Sequence, residues 1–251
     1  MTISSIRERV RRFAEIRRAL PLLAAGLLVV AILLPMWRIT LSAPQYPHDL
    51  VVHLYAYPRL EGDVWEVQLL NQYVGFYFPD PVLVEPNYDV HESAIATPEW
   101  AFGPLVFLLV AGAGVFVALA PTTRKLRLGL TCQLAGTVAV FCGMFALVQL
   151  RLHQAGHALD PGAPLVGVDG FTPPVFGSYQ VANISGFASF GPGGILTLIA
   201  LVLLVIAFFA RDSTARLGDA PRLIKHGGAR VTSLIRGWPK RRRSIRGVPD
   251  E

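Results

Sequence analysis

Two histidines four residues apart are the first candidates for chemistry in this chain. His153 and His157 follow an apolar segment, and Asp160 comes shortly afterwards. If the helix of that segment continues, both imidazoles project from the same face and can hold one metal ion. Imidazole suits copper or zinc. A polar surface pair is the alternative interpretation, because Gly156 lowers the helix propensity between the two histidines.

The other candidate ligands are dispersed along the sequence. His48 and His53 are further candidates for metal binding, although a solvated side chain is the alternative for His53, which falls in a predicted strand. The soft candidate ligands are Met36, Met144, Cys132 and Cys142. Ten helical residues separate the two cysteines, which places them about 15 Å apart along a helix axis, so they cannot form a disulfide with each other.

Motifs for catalysis are absent from the sequence. We find no nucleophile elbow, phosphate loop, zinc-protease helix or pair of carboxylates in an apolar setting. No Asp, Glu, Lys or Arg lies well inside an apolar segment, whereas intramembrane charges usually mark a proton or ion path. The sequence therefore favours a non-catalytic protein over an enzyme or a proton-coupled transporter.

Four apolar segments, at 20–37, 100–120, 128–150 and 193–210, must position these residues. A membrane helix needs about 20 mainly apolar residues. Of the 251 residues, 53% are hydrophobic and only 16% are charged, and the mean hydropathy is +0.47. Soluble domains carry about 25% charged residues. We therefore expect an all-α membrane protein with four transmembrane helices.

The basic residues indicate how the chain crosses the membrane. Residues 1–19 hold six arginines, the link 121–127 holds three basic residues, and the tail 211–251 holds eleven. The long loops 38–99 and 151–192 together hold only three. Because Lys- and Arg-rich flanks stay cytoplasmic, both termini should be inside and both long loops outside. The Arg-, Ala- and Gly-rich composition favours a bacterium, and thus its cytoplasmic (inner) membrane.

The basic flanks also indicate which partners to expect. Ile3, Ile6, Val10 and Phe13 share one helical face, so residues 1–19 form either an amphipathic surface helix or a polar extension of the first span. Anionic lipid headgroups are the natural partner of this positive charge. Nucleic acid is not expected, because the basic run at 240–243 follows a membrane helix and contains no interleaved aromatic residues.

The first outer loop carries a predicted β-hairpin, the centre of a small extracytoplasmic domain. Residues 51–57 and 64–70 are rich in β-branched and aromatic residues, and the intervening turn 58–63 contains Gly62. An isolated hairpin is marginal in water. It should therefore pack on the second outer loop, the membrane surface or a partner subunit. The prolines that follow, at 79–98, predict an extended approach to the second span.

Small residues form a stripe along the third segment and predict close helix packing. Its members recur at intervals of three and four residues: Gly129, Cys132, Gly136, Ala139, Gly143 and Ala146. Small residues let helices approach closely in lipid. Either the second span, which contains Ala111-Gly-Ala-Gly114, or a helix of another subunit could pack against this stripe.

Two strings in the outer loops point to a known group of proteins. The first is WRITLSAPQYP at 37–47, followed by LNQYVG at 70–75; the second is DPGAP at 160–164, leading to FTPPVFG at 171–177. They resemble bacterial membrane proteins with an APQYP motif after the first span and an LNHYIGM-like motif beyond the hairpin. That group is associated with copper enzymes of the cell envelope. These are the maturation system of nitrous-oxide reductase and the copper membrane monooxygenases that oxidise methane, short alkanes or ammonia.

The resemblance implies a role beside a copper enzyme, with other integral membrane subunits as partners. Gln72 and Phe76 stand where the motif has His and Met, which would be natural copper ligands. We therefore expect an accessory subunit of a copper monooxygenase, with copper handling or maturation as the alternative. The residues expected to shape a docking surface are Pro44, Gln45, Tyr46, Pro47, Asn71, Tyr73, Gly75, Pro173 and Pro174. Gly129, Gly136 and Gly143 would pack on a partner helix.

Overall fold

Five helices and one antiparallel sheet make up the part of the chain that the computed structural model describes, residues 15–76, 97–165, 167 and 170–213. In chain order the elements are α1 (Ile16–Ile32), β1 (Trp37–Ser42), β2 (Leu50–Leu54), β3 (Leu60–Gly62), α2 (Val64–Val74), a 3₁₀ turn (Pro98–Phe102), α3 (Gly103–Leu119), α4 (Thr123–His157), β4 (Gly177–Val181), β5 (Ile184–Phe190) and α5 (Pro192–Phe209).

The chain divides into two units, and almost all described residues belong to the unit Arg17–Ser213. The other unit joins residues 1–16 to residues 214–251 and contributes only residues 15 and 16 to the description. The predictions for the amphipathic N-terminal helix, most of the proline-rich approach and the basic tail therefore lie largely outside the described residues.

Three helical segments are long and apolar enough to cross a membrane: Pro98–Leu119, Thr123–His157 and Pro192–Phe209. They correspond to the second, third and fourth predicted segments. By length and composition, the expectation of a membrane-crossing helix is therefore confirmed for these three. The first segment differs from its prediction. Helix α1 has 17 residues and ends at Ile32, and Trp37 is the first residue of strand β1 rather than the end of a helix.

Helix α4 extends beyond the predicted span at both ends. Its 35 residues, Thr123–His157, correspond to about 52 Å of helix, whereas the hydrocarbon core of a bilayer is about 30 Å thick. The side chain of Thr122 accepts a hydrogen bond from the backbone N–H of Lys125 and caps the helix. The last turns carry His153 and His157, so the continuation on which the predicted metal pair depended is present.

Both long loops contribute to the five-stranded sheet, whose order is β3-β2-β1-β5-β4. The first loop supplies β1, β2 and β3, and the second supplies β4 and β5. Strand β1 joins them, because it pairs with β2 on one side and with β5 on the other, so that Ile39 lies between Val52 and Ala188. The predicted hairpin thus pairs with the loop 151–192, as one of the expectations held, and the domain is larger than a hairpin.

The predicted second strand of the hairpin is wrong. Residues 64–70 belong to helix α2, and β3, within the predicted turn, is the true partner of β2. In a helix Val67, Leu70 and Val74 share one face, which is buried; in a strand Val67 and Leu70 would point to opposite faces. Gly75 ends the helix with φ 82°, a left-handed conformation that favours glycine.

Helix α2 covers one face of the sheet and leaves the other open. The covered face is apolar, and its core comprises Leu41, Leu50, Val52, Val67, Leu70, Val74, Val181 and Ile184. On the open face, Arg38 of β1 lies opposite His53 of β2, which in turn lies opposite Glu61 of β3. One buried and one solvated face are typical of antiparallel sheets.

The small-residue stripe of α4 packs on α3 along part of its length. A Cβ at Gly129 would lie 3.0 Å from the side chains of Phe116 and Val117, and one at Gly136 would lie 3.3 Å from Val110. No atom lies within 4 Å of the corresponding position at Gly143. Helix α3, which corresponds to the second predicted segment, is therefore the neighbour of Gly129 and Gly136. Of the two predicted partners for the stripe, the structure shows this one.

Polar contacts between helix termini fix the arrangement of the helices. At one end, Arg18 donates to the carbonyl of Ala118 at 2.8 Å, and Arg127 pairs with Asp212 at 2.5 Å. At the other end, Glu99 pairs with Arg151 at 2.6 Å. The sheet lies at this second end, because β1 follows the C-terminus of α1 and β5 leads directly into α5.

The N-terminus of α5 packs tightly against the turn that follows α1. The N–H groups of Gly191 and Gly193 donate to the carbonyls of Met36 and Pro35 at 2.9 and 2.8 Å. A Cβ at Gly193 would lie only 2.8 Å from the carbonyl oxygens of Ala31 and Leu34. The glycines here permit close backbone approach.

Replacing Gly193 with Ala should destabilise the protein by about 1–3 kcal/mol, because the added methyl group would displace backbone rather than a flexible side chain. Thermal unfolding in mild detergent measures the effect. Gly112→Ala is the matched control, since its Cβ would meet nothing within 4 Å in another apolar helix. Equal unfolding temperatures for the two variants would contradict the close packing.

Candidate functional site

The C-terminal end of α4 organises the candidate site. Gln149 accepts a hydrogen bond from the N–H of Val175 at 3.0 Å and donates to the carbonyl of Pro173 at 3.2 Å. The indole of Trp37 donates to the carbonyl of Val175 at 2.7 Å. These three bonds hold the segment before β4 between α4 and the first residue of β1.

Gly156 lets the chain cross α4 about two turns further on. The N–H of Phe171 donates to the carbonyl of Gly156 at 3.0 Å, and a Cβ at Gly156 would clash with the carbonyl of Phe171. The glycine therefore permits a close crossing without interrupting the helix. This crossing also brings Thr172 to the histidine pair.

The histidine pair lies side by side on the last turns of α4. The ring centroids of His153 and His157 are 4.1 Å apart. The Nδ1 of His157 lies 2.8 Å from the carbonyl oxygen of His153, and the Nδ1 of His153 lies 2.8 Å from the hydroxyl of Thr172. A carbonyl only accepts, so the neutral His157 ring carries its proton on Nδ1 and keeps the Nε2 lone pair. Metal-binding histidines are often held by such a bond.

The remaining predicted ligands do not join this pair. His48 is exposed in the turn between β1 and β2, and His53 lies on β2 with its Nδ1 buried and without a hydrogen-bond partner. Met36 is fully buried beside Gly193. Within the described residues, no group of three or more His, Cys, Asp or Glu side chains could hold a metal ion. A metal on the pair would thus need ligands besides these groups.

The predicted docking residues of the APQYP string form a turn beside α2. The N–H of Tyr46 bonds to the carbonyl of Ala43 at 3.0 Å, and the Tyr46 hydroxyl reaches the carbonyl of Glu66 at 3.5 Å. Tyr46 is half-buried, whereas the other members of the string's turn are exposed: Pro44, Gln45 and Pro47. The tyrosine therefore anchors the turn, and its neighbours remain accessible.

The other predicted docking residues, in LNQYVG at 70–75 and at Pro173 and Pro174, mostly serve the fold. The carbonyls of Tyr73 and Gly75 accept from the N–H groups of Leu165 and Asp160 at 3.1 and 2.9 Å. Asn71 is half-buried, and its carbonyl accepts from the N–H groups of Gly75 and Phe76. Gly75 and Pro173 are buried, Pro174 is half-buried, and only the side chain of Tyr73 is exposed. This string locks the C-terminus of α2 onto the second outer loop.

A polar cluster at the end of the hairpin was missed by sequence reasoning. The hydroxyl of Tyr55 donates to Glu61, Arg59 pairs with the same carboxylate, and the Arg59 guanidinium lies 4.8 Å from the centre of the Tyr55 ring. The carbonyl of Tyr55 accepts from the indole of Trp100 at 2.9 Å. The spacing Tyr55-x₃-Arg59-x-Glu61 was the available signal, but it becomes informative only once β2 and β3 are paired.

The hydrogen bond between Tyr55 and Glu61 shifts the pKa of both side chains. It lowers the pKa of Glu61, with the nearby Arg59 acting in the same direction, and it raises the pKa of Tyr55, with burial and the charge of Glu61 acting in the same direction. A lowered carboxyl pKa contributes stability at neutral pH that is lost as pH falls through it. A raised phenol pKa contributes stability that is lost as pH rises through it.

A cavity of about 60 Å³ lies between α2, the covered face of the sheet and the segment that crosses α4. Apolar side chains dominate its lining, which consists of Leu41, Leu70, Asn71, Val74, Phe76, Phe171, Pro173, Tyr179, Val181 and Ile184. Burial raises the pKa of Tyr179 to about 12. The volume admits a small apolar group or a few waters, but not a drug-sized ligand.

Comparison with protein-family models, with curated proteins and with solved structures finds no match for this chain.

Replacing Gln149 with Leu should free the segment 173–175, because the N–H of Val175 and the carbonyl of Pro173 lose their side-chain partner. A buried polar group left unpaired costs about 1–3 kcal/mol. Hydrogen–deuterium exchange should show faster exchange at Val175. Gln154→Leu is the control, since Gln154 is exposed on the same helix. Unchanged exchange at Val175 would refute this role of Gln149.

Replacing Glu61 with Gln should lower the pKa of Tyr55, because the carboxylate acceptor and its negative charge both disappear. Ultraviolet titration of tyrosine ionisation measures the shift, with Tyr55→Phe identifying the contribution of this residue among the seven tyrosines. Glu66→Gln serves as control, since Glu66 is not part of the cluster. An unchanged titration in Glu61→Gln would show that the hydrogen bond does not form.

Proposed function

We propose that the protein crosses the bacterial cytoplasmic membrane four times, with both termini inside and the sheet outside. The three long apolar helices and the 17 residues of α1, which lie at the lower limit for a span, support this. The helix ends near Arg18 and Asp212 lie opposite the sheet, and the sequence segments that adjoin these ends are rich in Lys and Arg. The positive-inside rule then gives the orientation.

Within this topology, the protein acts as a non-catalytic subunit or accessory protein of a larger membrane complex. The observation that carries this proposal is the outer domain. Both loops are combined into one sheet, fastened to the helices by Trp37 and Gln149, while the APQYP turn and Tyr73 remain exposed beside α2. Such a rigid, exposed surface suits docking. The resemblance of the outer strings suggests that the complex is a copper-dependent monooxygenase for hydrocarbons or ammonia.

The test is purification of the tagged full-length protein from its native membranes in mild detergent. We expect large integral membrane subunits to co-purify in a constant ratio, with copper in the complex. Tagged protein solubilised in a harsh detergent that separates subunits provides the control for non-specific capture. Recovery of a stable, partner-free monomer under the mild conditions would refute the subunit proposal.

A second candidate function is the handling of copper on the outer face, as in the maturation of a copper enzyme. It is favoured by one observation: the adjacent rings of His153 and His157, with Nδ1 of each ring engaged and His157 keeping its Nε2 lone pair. Copper would then be cargo, and two imidazoles would hold it weakly enough to pass it on.

If the pair binds copper, the double variant His153→Ala, His157→Ala should lose the bound metal. Equilibrium dialysis of the purified full-length protein against copper, followed by elemental analysis, measures the content. The variant His48→Ala, His53→Ala is the matched control, because these residues lie away from the pair. Equal copper content in both double variants would exclude the pair as the site.

A further inference from the structure

Three large side chains form an exposed stripe along the outer helix α2. Trp65, Leu69 and Tyr73 follow one another at intervals of four residues, which places them on one helical face. They are 45%, 44% and 40% exposed. They lie on the side of the helix away from the buried residues that contact the sheet. We call these three residues the outer stripe.

Lipid does not cover the outer stripe in the proposed topology. At the start of α2, the N–H of Asp63 bonds to Val51, which lies three strand residues, about 10 Å, beyond the level of Trp37. At the end of α2, the carbonyl of Gly75 accepts from the N–H of Asp160, which follows the end of α4. The last part of α4, from Arg151 to His157, already extends about 9 Å. The headgroup layer extends only about 5–8 Å beyond the hydrocarbon.

The charges around the outer stripe have one sign. Glu66 lies on the helix and Asp49 ends the adjacent turn, whereas neither α2 nor residues 43–49 contain Lys or Arg. The carboxylate of Asp63 instead faces the sheet, where it accepts from the N–H of Val51 at 2.8 Å. The nearest arginines of the outer domain are directed elsewhere: Arg38 lies on the open face of the sheet, and Arg59 is engaged by Glu61. An apolar stripe with an acidic border complements an apolar surface bordered by basic residues.

We propose that the outer stripe docks into an apolar groove, flanked by Lys or Arg, on the outer domain of another membrane-anchored protein. This proposal rests on the proposed function and identifies the surface that performs it. Anchors at intervals of four residues are typical of a helix that binds in a groove. Trp and Tyr are also the side chains that most often dominate the energy of an interface.

The first arm of the test replaces the stripe in the full-length protein, as Trp65→Ala, Leu69→Ala, Tyr73→Ala. Co-purification of the membrane subunits should fall at least tenfold. Phe187→Ala is the matched control, because Phe187 is 49% exposed on the open face of the sheet, away from α2. It should retain the partner. Glu66→Lys should also weaken co-purification, since it reverses the charge beside the stripe.

The second arm uses a single substitution and does not require the triple variant to fold. A photo-crosslinking amino acid at position 69, in native membranes, should label a partner peptide that is apolar and flanked by Lys or Arg. Crosslinks to lipid, to a second copy, to residues 77–96 of the same chain or to an acidic surface would overturn the assignment. Undiminished co-purification by a folded triple variant would also overturn it but leave the proposed function intact, whereas a wild-type protein without any partner would overturn both.

Discussion

The whole structure depends on satisfying main-chain polar groups where the chain leaves its helices. Each buried N–H or carbonyl without a hydrogen-bond partner is costly. The turn after α1 and the start of α5 satisfy one another: Met36 donates to Leu54 and accepts from Gly191, while Pro35 accepts from Gly193. Trp37 and Gln149 do the same for the segment at Val175. The sheet is thereby built onto the helices rather than tethered to them.

A polar side chain also joins the helices well away from these turns. Gln133 is fully buried and donates to the carbonyl of Pro21 in α1 at 3.1 Å. It can approach because residue 114 of α3 is glycine; a Cβ there would clash with the Gln133 amide and lie 2.7 Å from the same carbonyl. One amide and one glycine therefore join three helices, and close packing of this kind is what holds helices together in lipid.

The sequence predicted the features that depend on composition and local periodicity. The second, third and fourth apolar segments and strand β2 were found because hydropathy and β-branched residues mark them directly. Helix α2 was missed because the apolar residues of Val64–Leu70 partly fit both a strand period of two and a helix period of 3.6. The residues that favour the helix, Val74 and Gly75, follow this segment. The joining of two distant loops through β1 and β5 and the roles of Gln149 and Trp37 arise from long-range pairing, which no local pattern reveals. The Tyr55–Glu61 contact is local, but it depends on the β2–β3 register, which was predicted wrongly.

The structure also explains what the two departures from the LNHYIGM-like motif do. Gln72 is exposed on α2, and Phe76 stacks on Phe171, 5.8 Å between ring centres, where the second outer loop crosses α4. An aromatic ring at position 76 thus serves packing where a methionine could have served a metal. The neighbouring motif residues Asn71 and Gly75 keep the backbone that ends the helix. With an amide at position 72 and an aromatic ring at position 76, these two side chains offer no imidazole or thioether, and the exposed face of α2 carries Trp65, Leu69 and Tyr73.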